Sequence, residues 1–361
     1  MPNKLKNIDS LDFLKSIASI LIVFHHYQQD FSARFNGINF FGGRIYFGYL
    51  VELFFMISGY LTLYTSRSIP ATGISQILKE EGRAFIHKLK RIYPMTIITT
   101  AFCLCVLSID AAVMGDTPKL AELWNLKAVA ANFLLLFRGW PGLSMMGYNN
   151  PLWYLCILIQ CYILFYLIKT ICELSRNLKL RYRELETLAW LVIIIFITFF
   201  RRINPYSYRG FQSFGAGLIF CTVVNTVQSK FMPQRSESKK LHRLLTVLLC
   251  TASVLSIVFS ALHSRNQREI LMIGVYLPIL ALALIHRNWE NKIGNLMGKT
   301  SFELFIWHYP MTALLQLVFH IVGIDSFRHS YLTMLVFTAA VQLWAWFIYT
   351  QLEIRIAKTL E

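Results

Sequence analysis

Apolar runs of roughly 17–24 residues recur along the whole chain, each long enough to cross about 30 Å of hydrocarbon as a helix. Nothing else in the sequence constrains the fold as strongly. A segment in lipid must satisfy its own backbone N–H and C=O groups, so the spans have to be α-helices packed on one another. Composition agrees: 56% of the 361 residues are hydrophobic and 15% are charged, against roughly 25% charged in a soluble domain. The first run lacks a small-residue cleavage site and is followed by further spans, so it reads as a transmembrane helix and not a removed signal peptide. The expected fold is an all-α polytopic transmembrane helix bundle.

Ten spans fit the hydropathy, at about 11–27, 45–66, 93–110, 151–170, 187–201, 210–228, 243–262, 269–286, 301–323 and 331–352. A net charge of +16 invites a nucleic-acid reading, but the cations sit mostly in alternate short loops, as membrane topology requires. Segments 67–92, 171–186, 229–242 and 287–300 hold 17 of the 35 Lys and Arg, which predicts both termini on the cytoplasmic side and no nucleic-acid partner. Residues 111–150 contain LKAVAANFLLLFRGW, too short and interrupted to span, so an outer segment with an interfacial or re-entrant helix is expected. The whole chain, 1–361, reads as one multi-pass membrane module without an appended soluble domain. Its seven cysteines form no CxxC and no His/Cys ligand pattern, so they read as small apolar fillers and no metal site is expected.

Within the first span Lys15 and His26 are eleven residues apart. Eleven steps of about 100° bring the two side chains within about 20° of one helix face. Their axial separation is about 16 Å, or half a bilayer. His25 is turned about 100° away. Ionisable groups at such depth are expensive and usually functional. His26 is therefore a candidate general base, because histidine accepts protons near neutrality. Lys15, with Asp12 three residues before it, reads as a cation near the inner face; taken alone, it would snorkel to the headgroups.

Glu52, flanked by Val51, Leu53, Phe54 and Phe55, must face protein or water and is a candidate to orient or charge-stabilise the histidine. Ser58 and Gly59 follow as a small pair permitting close helix approach. Arg201 and Arg202 lie at an outer helix end where the topology rule disfavours positive charge, so they are candidates for an acidic sugar or a lipid-linked pyrophosphate. Glu303 and His308 share a helix but lie about 140° apart. Glu303 reads as structural, and His308 as lining the path to the acceptor. His263, His320 and His329 read as interface residues.

LDFLKSIASILIVFHH resembles the opening signature of the acyltransferase-3 family of integral membrane acyltransferases. LFFMISGYL resembles that family's FFxxSGF element, FIHKLKRIYP its R-x-x-R element, PLWYL its outer Trp segment, and SFELFIWHYP its late helix ending in His-x-Pro. The five matches keep the family's order over about 300 residues. The resemblance implies transfer of an acyl group, often acetyl, from cytoplasmic acyl-CoA to a sugar or other acceptor at the outer face of the bacterial cytoplasmic membrane. It implies His26 as the catalytic histidine, Lys15 as its basic partner, and Lys88 and Arg91 in the two basic places of R-x-x-R, with Ser58 joining them as a donor contact. At Lys15 and Lys88 lysine stands where arginine is commoner, which keeps the charge but loses the planar fork for phosphate.

The expected activity is thus O-acyl transfer, with acetyl-CoA as donor substrate, no permanently bound cofactor, and a surface or exported glycan, free or lipid-linked, as acceptor. Direct transfer and a transient acyl-histidine remain open. A secondary transporter or flippase is the competing class. Against it, no inverted repeat and no pair of Gly/Pro-broken helices recurs in the two halves. A sensor or scaffold would leave the Lys15–His26 spacing without a purpose.

Overall fold

The computed structural model describes residues 8–33, 46–66, 73–140, 142–143, 145–174, 182–199, 204–231, 238–263, 266–286, 292–323 and 326–360. Among these, every regular element is helical. The α-helices are α1 (Asp9–Phe31), α2 (Leu50–Thr65), α3 (Ile74–Val113), α4 (Thr117–Leu123), α5 (Leu126–Phe133), α6 (Trp153–Leu174), α7 (Tyr182–Phe199) and α8 (Pro205–Phe231). They continue with α9 (Ser238–Leu262), α10 (Gln267–Leu271), α11 (Leu277–Ile285), α12 (Lys292–Lys299), α13 (Ser301–Val322), α14 (Tyr331–Ile348) and α15 (Ile354–Leu360).

Eight stretches are long and apolar enough to cross a membrane: Phe47–Thr65, Ile74–Val113, Asn150–Leu174, Pro205–Val227, Arg243–Leu262, Gln267–Ile285, Ser301–Val322 and Tyr331–Ile356. The other two spans expected from hydropathy fall on α1 and on the shorter apolar stretch Leu185–Phe199 of α7. Asp9, Asp12, Lys15 and Asp30 give α1 a polar load that lipid would not accept, and α1 packs against α11, α12, α13 and α14.

Two expectations change. Segment 67–92 is not simply a loop, because α3 starts at Ile74 and runs 40 residues, about 60 Å. Its polar half is rich in good helix formers, and Glu80 and Arg83 pair at 2.8 Å on the exposed side. Lys169 of α6 meets Glu81 of α3 at 2.7 Å, both buried, and pins that half to the bundle. Segment 287–300, likewise read as a loop, contains α12, whose Gly298 lies against the backbone of Asp12. Between α3 and α6, α4 and α5 have 7 and 8 residues and cannot span. Trp124 and Leu126 stand exposed there, as suits an interfacial segment.

The tightest helix pair is α2 with α8. A Cβ on Gly59 would overlap the carbonyl oxygen of Phe214, and one on Gly217 that of Met56, so two glycines from opposite helices set the approach. Gln267–Ile285 is one continuous rod with a π-helical turn at Met272–Tyr276. Pro278 lies just beyond it. The wider turn accommodates a residue that has no N–H and would crowd the carbonyl four positions back.

The N-termini of α2, α6, α8 and α10 meet at one end of the bundle, where Glu52, Trp153, Tyr206, Arg209 and Arg268 touch one another. The helix ends flanking the cationic segments lie at the other end, which the charge bias assigns to the cytoplasm. An impermeant thiol reagent should label Gly82→Cys only in opened membranes and Lys127→Cys in intact cells; the reverse pattern would invert this topology. Gly59→Ala should lower stability by about 1–3 kcal/mol through overpacking, read as thermal unfolding in detergent. An unchanged midpoint would reject the close α2–α8 contact.

Candidate active site

His26 lies on the fifth turn of α1 and His308 on the second turn of α13, and the packing of these helices stacks the two imidazoles. Their ring centroids are 5.1 Å apart with 29° between planes. His26 keeps part of its surface accessible, whereas His25 and His308 are buried. Nδ1 of His308 bonds to the Phe305 carbonyl at 2.6 Å, so that nitrogen is the donor, and Nε2, buried and without a partner among the described residues, presents its lone pair. The His25 ring meets that of His26 at 5.2 Å and that of Tyr46 at 4.7 Å.

A local backbone feature supports this centre. Pro310 has no N–H, so the Ile306 carbonyl has no donor in the helix ladder. Asn149, from the segment entering α6, donates to that carbonyl at 2.8 Å. The NNP turn is thereby tied to α13 two residues before His308, and the α3–α6 connection dips into the bundle at this point.

Glu52 does not hold the histidine as expected. Its Oε1 accepts from Nε of Arg209 and from Nε of Arg268, each at 2.6 Å, and its Oε2 accepts from an Nη of Arg209 at 2.9 Å. A fully buried carboxylate needs cations, and two guanidiniums take both of its oxygens. The link to the histidines is indirect. Arg209 also donates to the Gly48 carbonyl at 2.9 Å, and a Cβ on Gly48 would lie 2.9 Å from Nε2 of His25. Arg209 and Arg268 escaped the sequence reading, yet the argument applied to Arg201 and Arg202 would have found them, since both stand at helix ends that the charge bias assigns to the outer side. Arg201 and Arg202 themselves fall outside the described residues.

The donor candidates lie at the opposite end. Lys15 pairs with Asp12 at 2.6 Å, which fulfils the expected neighbourhood but leaves the lysine already compensated. Lys88 sits 5.5 Å over the ring of Tyr162, and Arg91 is exposed one turn further along α3. From there a line of side chains crosses the bundle. Tyr162 lies near Ser58, Ser58 meets the Tyr154 hydroxyl at 2.9 Å, and Tyr154 packs 5.5 Å from the ring of Phe305, whose carbonyl holds His308. Glu303, read as structural, is fully buried near Glu353, and no donor among the described residues reaches either of its oxygens. Among the described residues no group of three or more His, Cys, Asp or Glu side chains is arranged to hold a metal.

A family profile described as an acyltransferase domain matches residues 8–350, nearly the whole chain. No curated protein and no solved structure matches.

Glu52→Gln leaves two buried guanidiniums with a neutral partner. It should destabilise the fold by about 3–5 kcal/mol, the usual penalty for breaking a buried ion pair, read as the unfolding midpoint in detergent. A midpoint equal to that of the parent would remove the triad from the list of stabilising contacts.

Proposed function

Because the chain belongs to the acyltransferase-3 family and is a multi-pass membrane acyltransferase, we propose that it moves an acetyl group from cytoplasmic acyl-CoA to a hydroxyl of a surface or exported glycan. The observation that carries the reading is the line of side chains from Lys88, one turn from Arg91, through Tyr162, Ser58 and Tyr154 to the stacked His308 and His26. It joins a cationic end suited to phosphates with a pair of bases on the other side of the bilayer midplane.

In this reading the phosphates of the donor rest on Lys88 and Arg91, with Lys15 released from Asp12 as a further cation. The narrow pantetheine arm follows the Ser58 line and brings the thioester to the histidines. His26, the accessible imidazole, takes the proton of the acceptor hydroxyl as its oxygen attacks the thioester carbonyl. The C–S bond breaks, the thiolate of CoA leaves, and the proton held by His26 returns to sulfur. His308, fixed by the Phe305 carbonyl, holds the face of His26 and orients it. Glu52 acts at one remove, keeping Arg209 and Gly48 in place beneath His25.

His26→Ala should reduce acyl transfer by about 10²–10⁴-fold, the range of general base catalysis, with expression and unfolding midpoint intact. The assay is ester formation on cell-surface glycan, or acyl-CoA turnover in proteoliposomes. Undiminished transfer would reject His26 as the base. Solute uptake without acyl-CoA turnover would instead identify a transporter.

A further inference from the structure

Three arginines at the His26 end of the bundle are each laid against an aromatic ring. Arg138 lies 4.8 Å from the centroid of Tyr206, Arg209 lies 4.9 Å from Trp153, and Arg268 lies 4.6 Å from Tyr208. Trp153 and Tyr206 are themselves 5.1 Å apart, so Arg138 and Arg209 share one aromatic pair. Two carboxylates answer this array. Glu52 takes Arg209 and Arg268, and Glu269 takes an Nη of Arg268 at 3.4 Å together with the Tyr208 hydroxyl at 3.3 Å. Arg138 bonds only the Tyr206 hydroxyl at 2.9 Å and Met146 Sδ at 3.5 Å among the described residues. Three guanidiniums therefore face two carboxylates, leaving one positive charge without a counter-ion among the described residues.

A second observation points the same way. Arg268 is only 6% exposed, and its Nη2 is buried with no hydrogen-bond partner among the described residues. A buried donor left unmade on a charged group is costly, and native structures rarely keep one unless something else completes it. Planar guanidinium forks match carboxylate and phosphate oxygens. The aromatic rings beside them offer flat apolar surface with few polar atoms, the usual wall of a small-molecule site. The cluster adjoins the histidines through Gly48, which bonds Arg209 on one side and abuts His25 on the other.

We propose that Arg138, Arg209 and Arg268 form an oxyanion site for the acceptor, so that the hydroxyl acylated at His26 belongs to an anionic sugar, bearing a carboxylate or a phosphate, and not to a neutral one. This rests on the transferase reading for the role of the bound sugar, but the anion site itself does not depend on that reading. Glu52 supports the site by holding two of its three forks, and Arg138 supplies the uncompensated charge.

The test uses the purified full chain in detergent and follows thermal unfolding with methyl glucuronide, glucose 6-phosphate, methyl glucoside as neutral control, or phosphatidylglycerol. Either anionic sugar should raise the midpoint and the glucoside should not. Arg138→Gln should weaken the apparent affinity for the anionic sugar about tenfold, as expected for one charge-assisted hydrogen bond. Arg138→Lys, which keeps the charge and loses the fork, should fall between the two and serves if the glutamine variant does not fold. His26→Ala should retain the shift while losing acyl transfer, so a retained transfer with an intact shift counts against the catalytic role of His26 and not against this site. Equal shifts with glucoside and glucuronide, no shift with either anionic sugar, a shift with phosphatidylglycerol alone, or an unaltered affinity in both Arg138 variants would overturn the proposal.

Discussion

Hydrocarbon offers no hydrogen-bond partner, so each polar group that this chain carries into the bilayer has to be answered by another part of the same chain. The Glu52–Arg209–Arg268 triad is where that demand is greatest, and three helices far apart in sequence are bound together by it. Its position dictates much around it: α2 must approach α8 closely, which the glycines at 59 and 217 allow. The α10–α11 rod must bring Arg268 inward, and its π turn widens the helix ahead of Pro278. The same rule explains Asn149, whose amide answers a carbonyl that Pro310 leaves without a donor.

These constraints give the bundle two ends of different character. One end gathers Lys15, Lys88 and Arg91 with the carboxyls of Asp12, Glu303 and Glu353. The other gathers three imidazoles, three guanidiniums and a set of tyrosine and tryptophan rings. Tyr162, Ser58 and Tyr154 connect them through the interior with hydroxyl contacts, the kind of lining that a thin polar arm crossing a bundle would need. The orphaned Nε2 of His308 and Nη2 of Arg268 lie on the same side of the molecule. One is an acceptor and the other a donor, and a substrate hydroxyl beside a substrate anion would complete both.

Much of the candidate site was legible along single helices. The Lys15–His26 phase, the Asp12–Lys15 neighbourhood and the depth of Glu52 follow from 3.6 residues per turn and from the cost of charge in lipid. The partner of Glu52 was not legible, because Arg209 and Arg268 are 157 and 216 residues away from it, and periodicity carries no information over such separations. His308 could be suspected from its depth, but its stacking on His26 depends on how α1 and α13 are rotated against each other. The helical start of α3 was hidden for another reason: charged residues there read as topogenic, although the same residues are good helix formers.

The sequence by itself determined that the chain is an all-helical membrane bundle, which helix faces are polar, the charge bias between alternate segments, and the family to which it belongs. Each is a local or one-dimensional property, set by the length of apolar runs, the period of the helix and the order of short motifs. Only the tertiary structure decided that Glu52 serves two arginines and not a histidine, that two imidazoles meet face to face, and that a third arginine has no carboxylate among the described residues. Those outcomes depend on which helices pack together and at what rotation, and hydropathy is silent on both because all the spans are apolar alike.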